Sequence, residues 1–136
     1  MTHGSYEMPP KFAQFGGNFF EPVVLEDINP NSRAFCEEFF GPVFQLYSVN
    51  SDDEAIELAN CTDYGLGAAV FSQDLERAEA MARKLDAGML YVNDFVQSQS
   101  DVPSGGTKDS GYGRECFSDG LVDLSNRKSI IIQNHE

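Results

Sequence analysis

The groups in this sequence best suited to covalent or metal chemistry are three thiols, Cys36, Cys61 and Cys116, and two imidazoles, His3 and His135. An odd thiol count with no Cys-x-x-Cys pair argues against a disulfide framework. The imidazoles sit at the extreme ends of the chain, which argues against a zinc site. Each thiol reads as an ordinary buried or surface cysteine. Asn60-Cys61-Thr62 fits a glycosylation sequon, but with no sign of secretion it reads as a chance match. Phosphate-cradling loops are missing too: Gly-x-Gly-x-x-Gly does not occur, and Gly105 to Gly113 has the wrong lysine spacing for a Walker loop. Three other side chains stand out, Glu38, Phe40 and Ser98. In isolation they read as a solvated helix-end acid, a core aromatic and a solvated loop serine.

Charge narrows the partners. Lys plus Arg is 9 and Asp plus Glu is 22, for a formal net charge of −13. Such a surface repels phosphate backbones and anionic membranes, so neither nucleic acid nor a membrane is expected as a partner. The acidity reads as a solubility device. No apolar run approaches the ~20 residues of a membrane span. Residues 1–11 carry no signal-peptide core, and a reducing, cytoplasmic compartment is the expectation.

The elements that must position these side chains follow from pattern. Residues 1–15 read as a loosely ordered leader and 16–136 as one domain. A strand is expected over 19–25, with Pro22 at an edge or bulge. Asn31 or Ser32 caps a short helix running to Phe39, and Gly41-Pro42 ends it. Residues 43–49 read as a strand buried on both faces. Ser51 and Glu54 form a capping box for a helix with Ala55, Ile56, Leu58 and Ala59 on its apolar face. A second strand is expected over 68–71. Ser72 then caps a helix whose stripe is Leu75, Ala78, Ala82 and Leu85, closed by a left-handed Gly88. A third strand covers 89–92. Residues 93–114 form a polar, glycine-rich loop, 115–122 a short helix and 129–133 a closing strand. The fold class is α/β: a parallel βαβ sheet with helices on both faces.

Read together, several segments resemble the aldehyde dehydrogenase family. They are Gly17-Asn18-Phe19-Phe20-Glu21-Pro22-Val23-Val24-Leu25, Glu37-Glu38-Phe39-Phe40-Gly41-Pro42-Val43 and Asp53-Glu54-Ala55-Ile56 with Leu58-Ala59-Asn60. Tyr64-Gly65-Leu66, Ala69-Val70-Phe71, Ala87-Gly88, Val92-Asn93 and Gly105-Gly106-x-Lys108-x-Ser110-Gly111-x-Gly113-Arg114-Glu115 follow in family order. The resemblance runs from about Gly16 to Ile132 and is to the C-terminal part of the family's catalytic domain. Gly111-Tyr112-Gly113-Arg114-Glu115, Gly120-Leu121 and Asn126-x-Lys128 look most like the bacterial succinate-semialdehyde dehydrogenase branch.

The resemblance implies oxidation of an aldehyde to an acid with NAD or NADP, through attack by a cysteine thiolate. It places the nucleophile upstream, in a Gly-Gln-x-Cys context that none of the three cysteines matches. The general-base glutamate and the dinucleotide-binding domain also lie upstream. The chain alone is therefore expected to be inactive and to bind no dinucleotide tightly. By the same resemblance, Glu38 holds the nicotinamide-side ribose hydroxyls, Phe40 packs at the nicotinamide end, and Ser98 lines the aldehyde entrance. Residues 129–133 reach across to a neighbouring subunit. Expected partners are a second copy or the N-terminal half of a dehydrogenase, with a small aldehyde as substrate. Whether the chain is a fragment, a stand-alone self-associating module or half of a split enzyme is left open by the residues. Two departures bear on the site. The usual Pro-Phe-Gly-Gly reads Pro103-Ser104-Gly105-Gly106, expected to loosen the loop, and Asp101 stands where the branch often has Arg.

Overall fold

The computed structural model describes residues 10–13 and 15–134, with the side chains of residues 12 and 13 left aside. Most of the expected leader, and both histidines, lie outside the described residues. The chain divides into two compact units, Met1–Ser48 and Val49–Glu136.

The first unit contains α1 (Pro10–Ala13), β1 (Val23–Leu25), α2 (Arg33–Cys36) and β2 (Val43–Gln45). β1 and β2 pair in parallel, Val23 opposite Val43 and Leu25 opposite Gln45. Parallel pairing demands a long crossover, and α2 lies within it. Asn29 tightens the entry by accepting the Asn31 N–H at 2.9 Å. Ser32 occupies the N-cap position, yet its side chain makes no capping bond. The helix therefore ends at Cys36 rather than Phe39: it is short, uncapped, and Glu37 is already extended. Phe35 packs edge-on to Tyr47 at 5.7 Å, and Gln45 Nε2 donates to the Ala34 carbonyl. The strand expected over 43–49 is paired only to Gln45, and it is not buried on both faces. Phe44 and Leu46 are exposed, and β1 is the only strand that pairs with it among the described residues.

The second unit contains α3 (Asp52–Asn60), β3 (Tyr64–Gly65), β4 (Gly67–Val70), α4 (Leu75–Ala82), β5 (Met89–Val92), β6 (Thr107–Lys108) and α5 (Phe117–Asp123). β4 and β5 pair in parallel with Gly67 opposite Met89 and Val70 opposite Val92. α4 is their crossover and buries Ala78 and Ala82, two residues of the expected stripe; Leu75 at the end of that stripe is exposed. α3 contributes Ile56 to the core. Its box forms with a shift. Ser51 accepts from the Glu54 N–H at 3.2 Å, while Glu54 reaches past the cap to the Asn50 N–H at 2.7 Å. α4 is capped by Asp74, not Ser72: Asp74 accepts from the Arg77 N–H at 3.0 Å, and Ser72 supports the turn by accepting from the Asp74 N–H. An Asp carboxylate outcompetes a hydroxyl two residues earlier because it reaches the open amides directly. Arg77 in turn donates to Asp52 with Nε–Oδ2 at 2.7 Å, tying α4 to the start of α3. That guanidinium holds the Asp52 carboxyl below its ordinary value, and Asp52 raises Arg77.

The chain is thus mixed α/β with parallel strands, but its pairing is spread over three two-stranded ladders rather than one sheet. The third ladder is antiparallel, Tyr64 opposite Lys108 and Gly65 opposite Thr107. It folds the glycine-rich loop back onto the unit. Gly88 is the hinge of this arrangement. It does not close α4 in a left-handed conformation; the helix has already ended at Ala82 through i,i+3 turns. Instead a Cβ there would overlap the Gly105 carbonyl and press on Gly106. Two backbones meet at that point with no room for a side chain. The closing strand expected over 129–133 forms no ladder among the described residues. Ile130, Ile131 and Ile132 are exposed.

Gly88→Ala is expected to lose about 2 kcal/mol or more of stability, since the clashing atoms are backbone and cannot rotate away. Gly41→Ala, with open space around its Cβ, is the control and is expected to stay within ~0.5 kcal/mol. Chemical denaturation of both variants checks this.

Candidate functional site

Glu38 and Phe40 follow α2 in the first unit. Arg33 grips the neighbouring acid instead, with Nε and Nη2 donating to the two Glu37 oxygens at 2.7 and 2.8 Å. Glu37 is held below its ordinary carboxylate value by that hydrogen-bonded guanidinium. Glu38 consequently has no ion pair or hydrogen bond among the described residues. Phe40 is 98% exposed, so the core reading of this aromatic is overturned. Two tight turns, Gly41 N–H to Phe39 O at 2.9 Å and Val43 N–H to Gly41 O at 2.8 Å, fix the backbone beside it. The segment therefore presents a free carboxylate and a bare aromatic face two residues apart. A carboxylate can accept from a pair of hydroxyls, and an aromatic face can pack on a flat ring.

Ser98 lies in the second unit, in the segment that leaves β5. Asn93 launches it. Its φ is 57°, a left-handed value that Asn tolerates. Its carboxamide accepts from the Ser72 N–H and donates to the Ser72 carbonyl, both at 2.8 Å. With the Asn93 N–H bonded to Val70 O, the side chain extends the β4–β5 ladder by one artificial rung. Tyr91 OH donates to the Gln97 carbonyl and holds the other side of the segment. Ser98 Oγ then lies 3.1 Å from Ser104 Oγ.

Ser104 corrects an expectation. In place of an aromatic it was expected to loosen the loop, yet it is 3% exposed and well bonded. Its N–H and carbonyl exchange bonds with Glu115 at 2.9 and 2.8 Å, and its hydroxyl also reaches Met89 Sδ at 3.3 Å. Nothing in the composition of the loop signalled this; a buried hydroxyl is visible only once the chain is folded. Asp101 is exposed.

The glycine-rich run is a packing device rather than a ligand cradle. Lys108 Nζ donates to the Asn60 and Thr62 carbonyls at 2.9 and 3.0 Å and closes the end of α3. Arg114 Nη1 donates to the Gly106 and Gly113 carbonyls. Ser110 Oγ accepts from the Gly65 N–H. Cys36 and Cys61 are exposed and Cys116 is half-buried; all three are free thiols. Among the described residues no cluster could hold a metal ion, and no helix is long and apolar enough to cross a membrane. A half-open cavity of about 350 Å³ lies beside the Asp52–Arg77 pair, lined by Val49, Ala55, Val70 and Phe71; none of the expected site residues lines it.

Residues 3–130 match the sequence profile of the aldehyde dehydrogenase family. The chain belongs to the aldehyde dehydrogenase family. It is 49% identical over 114 residues to the succinate-semialdehyde dehydrogenase [NADP(+)] of Deinococcus radiodurans, a match covering 84% of this chain and 24% of that protein. It is 43% identical to the chloroplastic betaine aldehyde dehydrogenase of Beta vulgaris, again over 84% of this chain and 23% of the relative. Among solved structures it resembles the succinic semialdehyde dehydrogenase of Streptococcus pyogenes in complex with NADP+. That match has a TM-score of 0.80 at 40% identity and covers 85% of this chain and 26% of the other. The betaine aldehyde dehydrogenase of Staphylococcus aureus in complex with NAD+ matches with a TM-score of 0.73 at 43% identity, covering 77% and 21%. The chain spans about a quarter of the length of these aldehyde dehydrogenases.

Asn93→Ala is expected to cost about 1–2 kcal/mol, combining two lost hydrogen bonds with left-handed strain. Asn93→Gly relieves the strain and should cost less. Denaturation gives the totals. Faster hydrogen exchange at the Ser72 amide in both variants identifies the broken rung.

Proposed function

We propose that this chain supplies the C-terminal part of an NAD(P)-dependent aldehyde dehydrogenase site that oxidises a small aldehyde to a carboxylic acid. Succinate semialdehyde is the proposed substrate. One observation carries the reading: Glu38 and Phe40 are both exposed two residues apart, in the sequence context that the family resemblance assigns to the nicotinamide end of the cofactor. When NAD or NADP is bound it accepts the hydride. The residues of this chain contribute binding: Glu38 accepts the ribose hydroxyls, Phe40 packs against the flat ring, and Ser98 offers a hydroxyl to the far end of the aldehyde. The 49% relative and the Streptococcus pyogenes structure support succinate semialdehyde. Asp101 weighs against an arginine clamp at that position, so Ser98 carries more of the recognition. The free thiols favour a reducing, cytoplasmic compartment.

None of the three cysteines has the context of the family's nucleophile, so the chain by itself is expected to reduce no cofactor. Mixed with succinate semialdehyde and NADP+ or NAD+, it should give no absorbance at 340 nm. Joined to the N-terminal remainder of a succinate-semialdehyde dehydrogenase, it should restore turnover. Glu38→Gln in that joined enzyme should raise the cofactor KM about tenfold, the loss of one charge-assisted hydrogen bond. Turnover by the isolated chain that disappears in Cys36→Ala or Cys116→Ala would overturn the proposal.

The second reading, a self-associating module, rests on the tail. Ile130, Ile131 and Ile132 are 74–84% exposed. An unpaired β-branched segment templates pairing with another chain, and a two-fold pair satisfies both edges. Light scattering is expected to show a dimer or larger that reverts to monomer when residues 129–136 are deleted. A strictly monomeric mass at high micromolar concentration would sink this reading.

A further inference from the structure

The Ser104 hydroxyl is buried, bonded, and not used by the function above. It sits between two very different atoms: Ser98 Oγ at 3.1 Å and Met89 Sδ at 3.3 Å. A hydroxyl has one proton and two lone pairs, whereas a thioether can only accept, and only weakly. Two arrangements are therefore open. In the first, Ser98 donates to Ser104 and Ser104 donates to Met89; both protons point inward and Ser98 faces solvent as an acceptor. In the second, Ser104 turns its proton from the sulfur to Ser98 Oγ, and the Ser98 proton is released outward as a donor. The exchange sacrifices only the weak bond to sulfur, and Ser104 keeps a partner in both states, as a buried hydroxyl must.

We propose that Ser104 and Met89 form a reversible hydroxyl relay behind Ser98, with Ser104 as a positioning residue that lets Ser98 donate to the anionic end of a carboxylated aldehyde. The proposal rests on the reading of Ser98 as a substrate contact. Its backbone is well placed for the task. Ser104 is pinned on both sides by its pair of bonds to Glu115, and Met89 is the first residue of β5. The relay thus works on rigid supports while Ser98 itself stays accessible. It also explains how a short hydroxyl serves where an aromatic is usual: it adds a proton switch in exchange for bulk. No bond other than hydrogen bonds is made or broken, and no proton leaves its oxygen.

The test compares succinate semialdehyde with butanal, of equal chain length but without the carboxylate, in the active joined enzyme. Ser98→Ala is expected to raise the KM for succinate semialdehyde about tenfold relative to that for butanal, the worth of one hydrogen bond to a charged group. Ser104→Ala should reproduce most of that rise with kcat little changed, and Ser104→Thr, which keeps the hydroxyl, should restore it. Met89→Leu should act in the opposite direction. With the sulfur gone, Ser104 can donate only to Ser98, and the KM for the carboxylated aldehyde should fall two- to threefold. A purely structural role for Ser104 and Met89 predicts a rise in both. If Ser98→Ala has no effect, the reading of Ser98 fails and the relay with it. If Ser98→Ala acts while Ser104→Ala and Met89→Leu do not, or Met89→Leu raises the KM, the relay alone is overturned. Side-chain couplings of Ser98 in the isolated chain give a readout independent of turnover: one rotamer in the wild type and in Ser104→Thr, averaging in Ser104→Ala. Averaging in the wild type would count against the relay. Should Ser104→Ala fail to fold, the volume-conserving Met89→Leu carries the test.

Discussion

The second unit depends on a contact between two backbones. Gly88 and Gly105 approach so closely that no side chain fits at Gly88. That approach lets the Gly88 N–H bond the Gly65 carbonyl at 3.0 Å and lets β6 lie against β3. A Cβ at Gly65 would meet Thr107 and the Asp86 carbonyl, so the same thinness is required one strand over. With the layers this close, Thr107 Oγ1 reaches both the Gly65 and Asp86 carbonyls, and Ser104 finds Met89. The glycine-rich segment is thereby converted from a floppy connection into part of the packed unit.

Charge is distributed with comparable economy. Cations are outnumbered more than two to one, and several of them serve backbone carbonyls or local acids. Arg33 takes Glu37 and thereby leaves Glu38 free. These exposed ion pairs contribute little stability individually. Their effect is on which carboxylates remain available to a ligand. Glu38 is left without an ion pair among the described residues because its neighbour Glu37 takes the guanidinium.

Much of this was legible from sequence where the signal is local. Ser51 and Glu54 announce the start of α3, and the Ala78 and Ala82 spacing announces the buried side of α4. Resemblance carried the family, which periodicity alone could not, and it is the source of the roles proposed for Glu38, Phe40 and Ser98. The misreadings share a physical cause: each depended on what the folded chain brings against the residue, which local pattern does not show. Asp74 displaced Ser72 as a cap because both can accept from amides, and only geometry ranks them. Gly88 was read through its backbone freedom, but it is needed for its missing side chain. The apolar run 43–49 promised a doubly buried strand, whereas burial depends on what covers the strand, and Phe44 and Leu46 are exposed. Ser104 was invisible because a serine in a glycine-rich loop looks the same whether it faces water or a thioether.

Asn93 shows how unevenly such a chain tolerates drift. Its backbone conformation admits a small alphabet, chiefly Gly, Asn and Asp. Its reciprocal bond with Ser72 needs an acceptor and a donor on one planar group at that reach, which strikes out Gly and Asp. Two independent filters thus leave a single letter. Ser72 answers to a different constraint, because the carboxamide reads its main chain while its hydroxyl accepts from the Asp74 N–H. The information holding the exit of β5 is stored at one end of the contact only, so mutational histories of the two positions should be decoupled even though the residues touch.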